Sequence, residues 1–413
     1  MHNVQITKLD NGIRVISENI PHVKSFSLGF WFDTGSRDEN QSNNGISHFI
    51  EHMLFKGTKN RTARKISDEI ESLGGYLNAF TSKEQTCYYG RGLAKNIPKT
   101  FEVLADMVLN PLFKNNDIKK EANVIIDELN DIEDSPEELI FDKFEESVFK
   151  GNSLHYPIIG NEKNILGFSQ ADLFNYVNKK YGLNNLYIVA SGLVEHNLLV
   201  ELTEKFFGSL SHTIIIKRKV FGDAKPDIKY IQKDIQQIHV IMGKTTYGFN
   251  NSNRTAVSVF SQILGEGSSS RLFQALRERN GITYSINSFL NSFYDVSTFG
   301  VYFSTNDKLV KKAQTIISAE FEKMKNKKVS DKELKRAKEY LKGSILMSLE
   351  STTNRMMRIA QSVILFNKLK TVEETVKEID AVDSGKIIEL ANLLLVENQM
   401  NKVMIGSKDY FNN

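Results

Sequence analysis

One cysteine, Cys87, in 413 residues excludes an intrachain disulfide framework and fits a reducing compartment. No apolar run is long enough to span a membrane. A formal net charge of +3 is too small to mark a nucleic-acid-binding surface. The opening residues, MHNVQITKLDNG, carry neither the apolar core of a secretory signal nor the Arg-rich pattern of a transit peptide. Together these absences make a cytoplasmic protein, without membrane or nucleic-acid partners, the expectation. A chain of this length with 40% hydrophobic residues can build two domains, each with its own core.

What the sequence does contain is His48-Phe49-Ile50-Glu51-His52, an H-x-x-E-H order that inverts a common metalloprotease motif. On a helix, with His48 at zero, His52 falls at about +40° and Glu51 at about −60°. Ile46, Phe49, Ile50, Met53 and Leu54 gather on the opposite side, at roughly 100–240°. Two imidazoles one turn apart can reach one metal ion, and Glu51 lies near enough to polarise a metal-bound water. A purely structural zinc would leave Glu51 without a role and would favour cysteine ligands, which are absent near the motif.

A catalytic zinc usually takes a third protein ligand. Residues 117–134 predict a second helix, with Asn116 or Asp117 as its N-cap. On it Glu121 and Glu128 lie about 20° apart, within a stripe that includes Val124, Ile125, Leu129 and Ile132. Burying two carboxylates needs a compensating partner, which a metal with its ligands would supply; the alternative is that both belong to a solvated acidic run, as most of the acids over 127–138 do. Asp127, Asp131 and Asp134 point to the polar side. Ser135-Pro136-Glu137-Glu138 predicts the cap and first turn of a further helix. The segment from Gly75 to Tyr89 reads as a strand.

With these motifs the chain resembles the pitrilysin family of zinc peptidases, in its mitochondrial processing peptidase-like branch. The likeness runs through LDNGIRV at 9–15, GSRDE at 35–39, GISHFIEHMLFKGT at 45–58, GGYLNAFTSKEQTCYY at 74–89, EANVIIDELNDIEDSP at 121–136 and SSSRLFQALRERNGITYSI at 268–286. It implies His48, His52 and Glu128 as the ligands of one Zn²⁺ per chain, Glu51 as the group that activates water, and Glu121 as a supporting acid. It also implies that Asn78, Ala79 and Phe80 pair an extended substrate with a sheet edge, and that Arg271 and Tyr284 form an Arg/Tyr pair holding substrate or shaping the site.

The compositional seam lies around 208–226, which divides the chain into a metal-binding domain over 1–210, a linker over 211–225 and a second domain over 226–413. Sliding the halves by 210 residues sets Ile46–Gly57 against Ala256–Gly267, with Ser258, Ser261 and Gln262 replacing His48, Glu51 and His52. This suggests a duplicated fold whose second copy lacks the metal. Gly265–Ser270 lacks the Gly-Lys-Ser/Thr ending of a phosphate loop. The resemblance implies an α+β protein of two homologous α/β halves, each a mainly antiparallel sheet with packed helices. Metal motif and Arg/Tyr pair in one chain favour a homodimer. The expected function is zinc-dependent endopeptidase action on peptides, presequences or unfolded segments; the alternative is an inactive or heteromeric scaffold subunit of the same fold.

Overall fold

Alternating and continuously apolar segments build two sheets in the computed structural model, which describes residues 4–222 and 225–407. The first contains β1 (Val4–Lys8), β2 (Arg14–Asn19), β3 (Ser25–Phe32), β4 (Tyr76–Thr81), β5 (Thr86–Leu93) and β6 (Leu186–Gly192). Their order is β1-β2-β6-β3-β5-β4, antiparallel except for β2 beside β6. The second contains β7 (Ile228–Gln232), β8 (Ile238–Tyr247), β9 (Thr283–Ser292), β10 (Val296–Thr305) and β11 (Asn401–Gly406). Its order, β7-β11-β8-β10-β9, repeats the first with β1 removed, including one parallel pair, β7 with β11.

The helices that position the site or cover a sheet face include α1 (Ile46–Leu54), α2 (Asn115–Asp134), α3 (Pro136–Val148), α4 (Asn253–Leu264) and α5 (Thr352–Phe366). Helix α4 follows β8 and precedes β9, as α1 follows β3 and precedes β4. The 210-residue echo therefore falls on equivalent helices of two α+β halves.

The chain divides into two compact units. One runs to Asn130 and adds Tyr156–Lys219 and Ser348–Lys370; the other takes Asp131–His155, Val220–Met347 and the chain from Thr371 onward. Each half of the sequence thus lends a helix to the other half's sheet. In the first unit α5 packs Met356, Ile359, Ala360 and Val363 onto Ile16, Trp31, Tyr187 and Val189. In the second, α3 packs Ile140, Phe144 and Val148 onto Ile241, Tyr302, Val403 and Ile405. Each large buried side chain contributes about 1.5–3 kcal/mol, so either helix supplies a major share of one sheet face. The opposite face of the first sheet buries Phe30 edge-on against Phe101 and Phe207, with ring centroids 5.0 and 5.9 Å away.

Two local expectations change. The stretch from Gly75 to Tyr89 is a hairpin, β4 and β5 joined at residues 82–85, rather than one strand. Helix α2 begins at Asn115, slightly before the expected cap. Ser135 does precede α3, with Pro136 in the first turn followed by Glu137 and Glu138. Among the described residues no helix or strand lies between Phe207 and Ile228.

Candidate metal centre and active site

Helix α1 is anchored before it presents any chemistry. Gly45 enters it at φ 98°, and a Cβ there would sit 2.7 Å from the Ile159 carbonyl oxygen, so no larger residue fits. The Glu39 carboxylate accepts from the amides of Gly45 and Ser47 at 2.8 Å each and from Asn44 Nδ2 at 3.0 Å. It satisfies amides that the helix itself leaves without partners. Burial pushes the Glu39 pKa up to about 7. Ile46, Phe49, Ile50, Met53 and Leu54 are all buried, which leaves His48, Glu51 and His52 on the opposite face.

The Nε2 atoms of His48 and His52 each lie 3.7 Å from Glu128 Oε2, and the two rings stand 4.6 Å apart between centroids. One donor atom from each of the three residues falls within 4.8 Å of the others. Tetrahedral zinc with bonds near 2.1 Å needs donors about 3.4 Å apart, so the set matches a zinc ion with little adjustment. Burial, then the charge of His52, brings the His48 pKa down to about 4, which keeps its imidazole neutral and able to ligate. Its Nδ1 is buried and finds no hydrogen-bond partner among the described residues.

Glu121 fixes the other ring. Its Oε1 lies 2.9 Å from His52 Nδ1 and its Oε2 lies 2.6 Å from Lys56 Nζ. In the neutral tautomer that donates Nδ1–H to Glu121, His52 has its lone pair on Nε2, where it could ligate a metal. Burial opposes charge on His52, but the Glu121 hydrogen bond and the surrounding carboxylates outweigh it and raise the pKa. Burial likewise opposes the charged Glu121, yet its bonds to His52 and Lys56 hold its pKa below the usual value.

The burial argument that selected both glutamates holds only for Glu121, which is 4% exposed. The Glu128 side chain is 45% exposed, and Val124 in the same stripe is 49% exposed. Helix α2 buries Ile118, Glu121, Ala122 and Ile125, so its covered face ends before Glu128, which instead meets the two imidazoles. Lys56 was not legible as a site residue, although it lies four positions after His52. Replacing it with Met is expected to weaken zinc binding about 10-fold, whereas Lys56→Arg retains it; competition against a chromophoric chelator measures both.

Glu51 is held from the β4 side. Thr81, the last residue of β4, donates its hydroxyl to Glu51 Oε2 at 2.6 Å, which leaves Oε1 available. Burial raises the Glu51 pKa, and the Thr81 bond partly offsets that rise. Among the described residues strand β4 is an edge, paired only with β5. Ser82 N donates to Gln85 O at 2.7 Å and closes the hairpin. Antiparallel alternation then turns the main-chain groups of Thr81, Ala79 and Leu77 towards the open side. The Ala79 amide there is covered by its neighbour's side chain, with Asn78 Oδ1 at 2.9 Å. Asn78 is exposed, while Ala79 and Phe80 are half-buried; the Phe80 ring packs edge-on to Trp31 at 5.4 Å.

Arg271 and Tyr284 belong to the second unit, and they have different surroundings. Arg271 makes a two-pronged pair with Glu333, from Nε to Oε1 at 2.8 Å and from a terminal nitrogen to Oε2 at 2.9 Å. Tyr284 is 75% exposed. The arginine that touches it is Arg277, whose guanidinium carbon lies 4.3 Å from the ring centroid. The seven-residue spacing from Arg277 to Tyr284 carried no helical or strand periodicity, because it spans a helix end and the entry to β9.

Fold and donor set define an α+β protein of two like halves, with a two-histidine, one-carboxylate cluster in the first. The chain belongs to peptidase family M16: residues 14–162 match the family model described as insulinase (peptidase family M16), and residues 167–341 match the M16 inactive domain. An uncharacterized zinc protease of Bacillus subtilis is 35% identical over 94% of this chain and 95% of its own length. A second, from Rickettsia felis, is 34% identical over 98% of each chain. Among solved structures, a Helicobacter pylori protease shares the fold at a TM-score of 0.92, with 24% identity over 98% of this chain and 99% of that one.

Proposed function

We propose that this chain is a zinc-dependent endopeptidase acting on extended peptides or unfolded segments. The observation that carries the reading is the convergence of three donors, His48, His52 and Glu128, beside a carboxylate tied to an open strand edge. The relatives' names, which call them zinc proteases, support the same metal and reaction class. Bound zinc would supply Lewis acidity, lowering the pKa of water and polarising the scissile carbonyl. Glu51 Oε1 would take the proton of the attacking water and return it to the leaving amine. Thr81 keeps Oε2 occupied, so the proton has one place to go. A peptide adding to β4 would bond through the outward main-chain groups of Leu77, Ala79 and Thr81, displacing Asn78 from the Ala79 amide. Main-chain pairing accepts varied side chains, which suits peptides rather than one fixed sequence. Glu121, with Lys56 behind it, orients His52.

The half-buried Arg277 and the exposed Tyr284 together offer a guanidinium and a phenol to substrate, a better fit to that role than Arg271 with two of its donors committed to Glu333. Arg277→Ala is expected to raise KM about 10-fold at unchanged thermal midpoint, while Arg271→Ala lowers stability by about 1 kcal/mol. Peptide kinetics and thermal melts on the two variants separate them. A cytoplasmic homodimer remains the reading for the assembly, since one chain carries both the donor set and the Arg/Tyr pair and its single cysteine is a buried free thiol. The intact donor set speaks against an inactive scaffold. A peptide-library digest tests the proposal: cleavage should vanish on chelation and return with one equivalent of zinc, and cleavage indifferent to chelator would refute it.

A further inference from the structure

The linker does more than connect. Arg218, two residues before the second unit begins, is drawn into the first unit by five hydrogen bonds. Its Nε donates to Asp38 Oδ1 at 3.0 Å and one terminal nitrogen donates to Asp33 Oδ1 at 2.9 Å. The other terminal nitrogen reaches Asp38 Oδ2 at 2.8 Å, the Asp33 carbonyl at 3.0 Å and the Glu84 carbonyl at 2.9 Å. Glu84 lies at the tip of the β4–β5 hairpin. Arg37 grips the same tip, donating to Glu84 Oε1 at 2.6 Å and to the carbonyl of Lys219 at 3.0 Å. Two guanidinium groups and three carboxylates therefore form one partly buried cluster that stitches linker, turn and hairpin together.

The backbone of the tip depends on the same turn. Ser36 N donates to Ser82 O at 3.2 Å and Arg37 N donates to Lys83 O at 2.7 Å. Gly35 permits this approach, because a Cβ on it would come within 2.2 Å of Ser82 O. Lys83 Nζ ties the tip to the Tyr156 carbonyl at 2.5 Å. One peptide bond away stands Thr81, whose hydroxyl holds Glu51 and whose main chain faces the open edge. A displacement of the tip reaches both the base and the strand that receives substrate.

We propose that Arg218 is a positioning residue: the linker clasps the hairpin tip and so sets where β4 presents Thr81 to Glu51 and to a bound peptide. This rests on the peptidase reading of β4 and assigns the linker a part in it. The forked guanidinium is essential to the geometry, because only a planar group with several fixed donors spans Asp33, Asp38 and the Glu84 carbonyl at once. The metal ligands are not part of the clasp, so its loss should separate catalysis from zinc binding.

The test compares Arg218→Ala and Arg218→Lys with the wild-type chain by hydrogen–deuterium exchange, zinc affinity and kcat/KM on an unstructured peptide. Arg218→Ala is expected to lose protection at the Arg37 and Ser82 amides, to hold its zinc Kd within about twofold, and to lose about 10-fold or more in kcat/KM. Arg218→Lys keeps the charge but not the span, and should fall between. Native exchange with native kcat/KM in a folded Arg218→Ala overturns the proposal; should that variant not fold, the same result in Arg218→Lys overturns it. A loss of zinc affinity equal to the loss of activity also overturns it, since Arg218 would then act on the metal site. If the wild-type chain binds zinc but cleaves no peptide, the peptidase reading fails instead. The exchange data then decide the clasp alone: lost protection supports it and native protection overturns it.

Discussion

Glu51→Gln is expected to bind one zinc per chain with wild-type affinity and to cleave peptides about 10²–10⁴-fold more slowly. The two halves of that expectation come from different atoms. Gln keeps a side-chain oxygen for the Thr81 hydroxyl, now 2.6 Å from Oε2, so the local packing survives. It cannot accept the proton of an attacking water at the second position. Glu51 contributes no donor atom to the cluster of His48, His52 and Glu128, so the metal should stay. Inductively coupled plasma mass spectrometry on dialysed protein, paired with a fluorogenic peptide assay, reads both quantities. Unchanged turnover would remove Glu51 from the mechanism; lost zinc would make it part of the binding site.

Glu128→Gln should show the opposite pattern. An amide oxygen is a neutral and weaker zinc ligand than a carboxylate, and Glu128 Oε2 is the atom that both Nε2 groups face at 3.7 Å. Its zinc affinity is expected to fall by more than about 100-fold, beyond the 10–100-fold typical of losing an outer partner. Glu121→Gln should stay within that smaller range. Because Glu128 is half-exposed, its substitution should leave the thermal midpoint of the metal-free protein nearly unchanged. Chelator titrations on the two variants distinguish ligand from support. A wild-type affinity in Glu128→Gln would mean that another group completes the set.

The sequence made α1 legible because its chemistry and its packing obey one period. His48, Glu51 and His52 share one side, while Ile46, Phe49, Ile50, Met53 and Leu54 are buried on the other. Glu128 was legible only in part, since the apolar stripe of α2 ends before it and the 45% exposed carboxylate contradicts the burial argument. What identified it was spacing within a family resemblance. The exchange of α3 and α5 between sheets was not legible, because an amphipathic helix states that it has an apolar face and not which sheet will cover it. Contacts between distant segments were hidden for a related reason. Arg218 with Glu84, Thr81 with Glu51 and Lys56 with Glu121 depend on loop paths that no local periodicity encodes. Arg277 stood unmarked in the resemblance, and only its closeness to the Tyr284 ring singles it out from Arg271.

The most direct measurement is anomalous diffraction at the zinc edge from crystals of the zinc-loaded protein. The expected map holds one strong peak per chain, bonded to Nε2 of His48, Nε2 of His52 and a carboxylate oxygen of Glu128, with Glu51 beside it and not bonded. A map without a peak at the two imidazoles, or with Glu128 turned away from the ion, would contradict the metal centre and the reaction built on it.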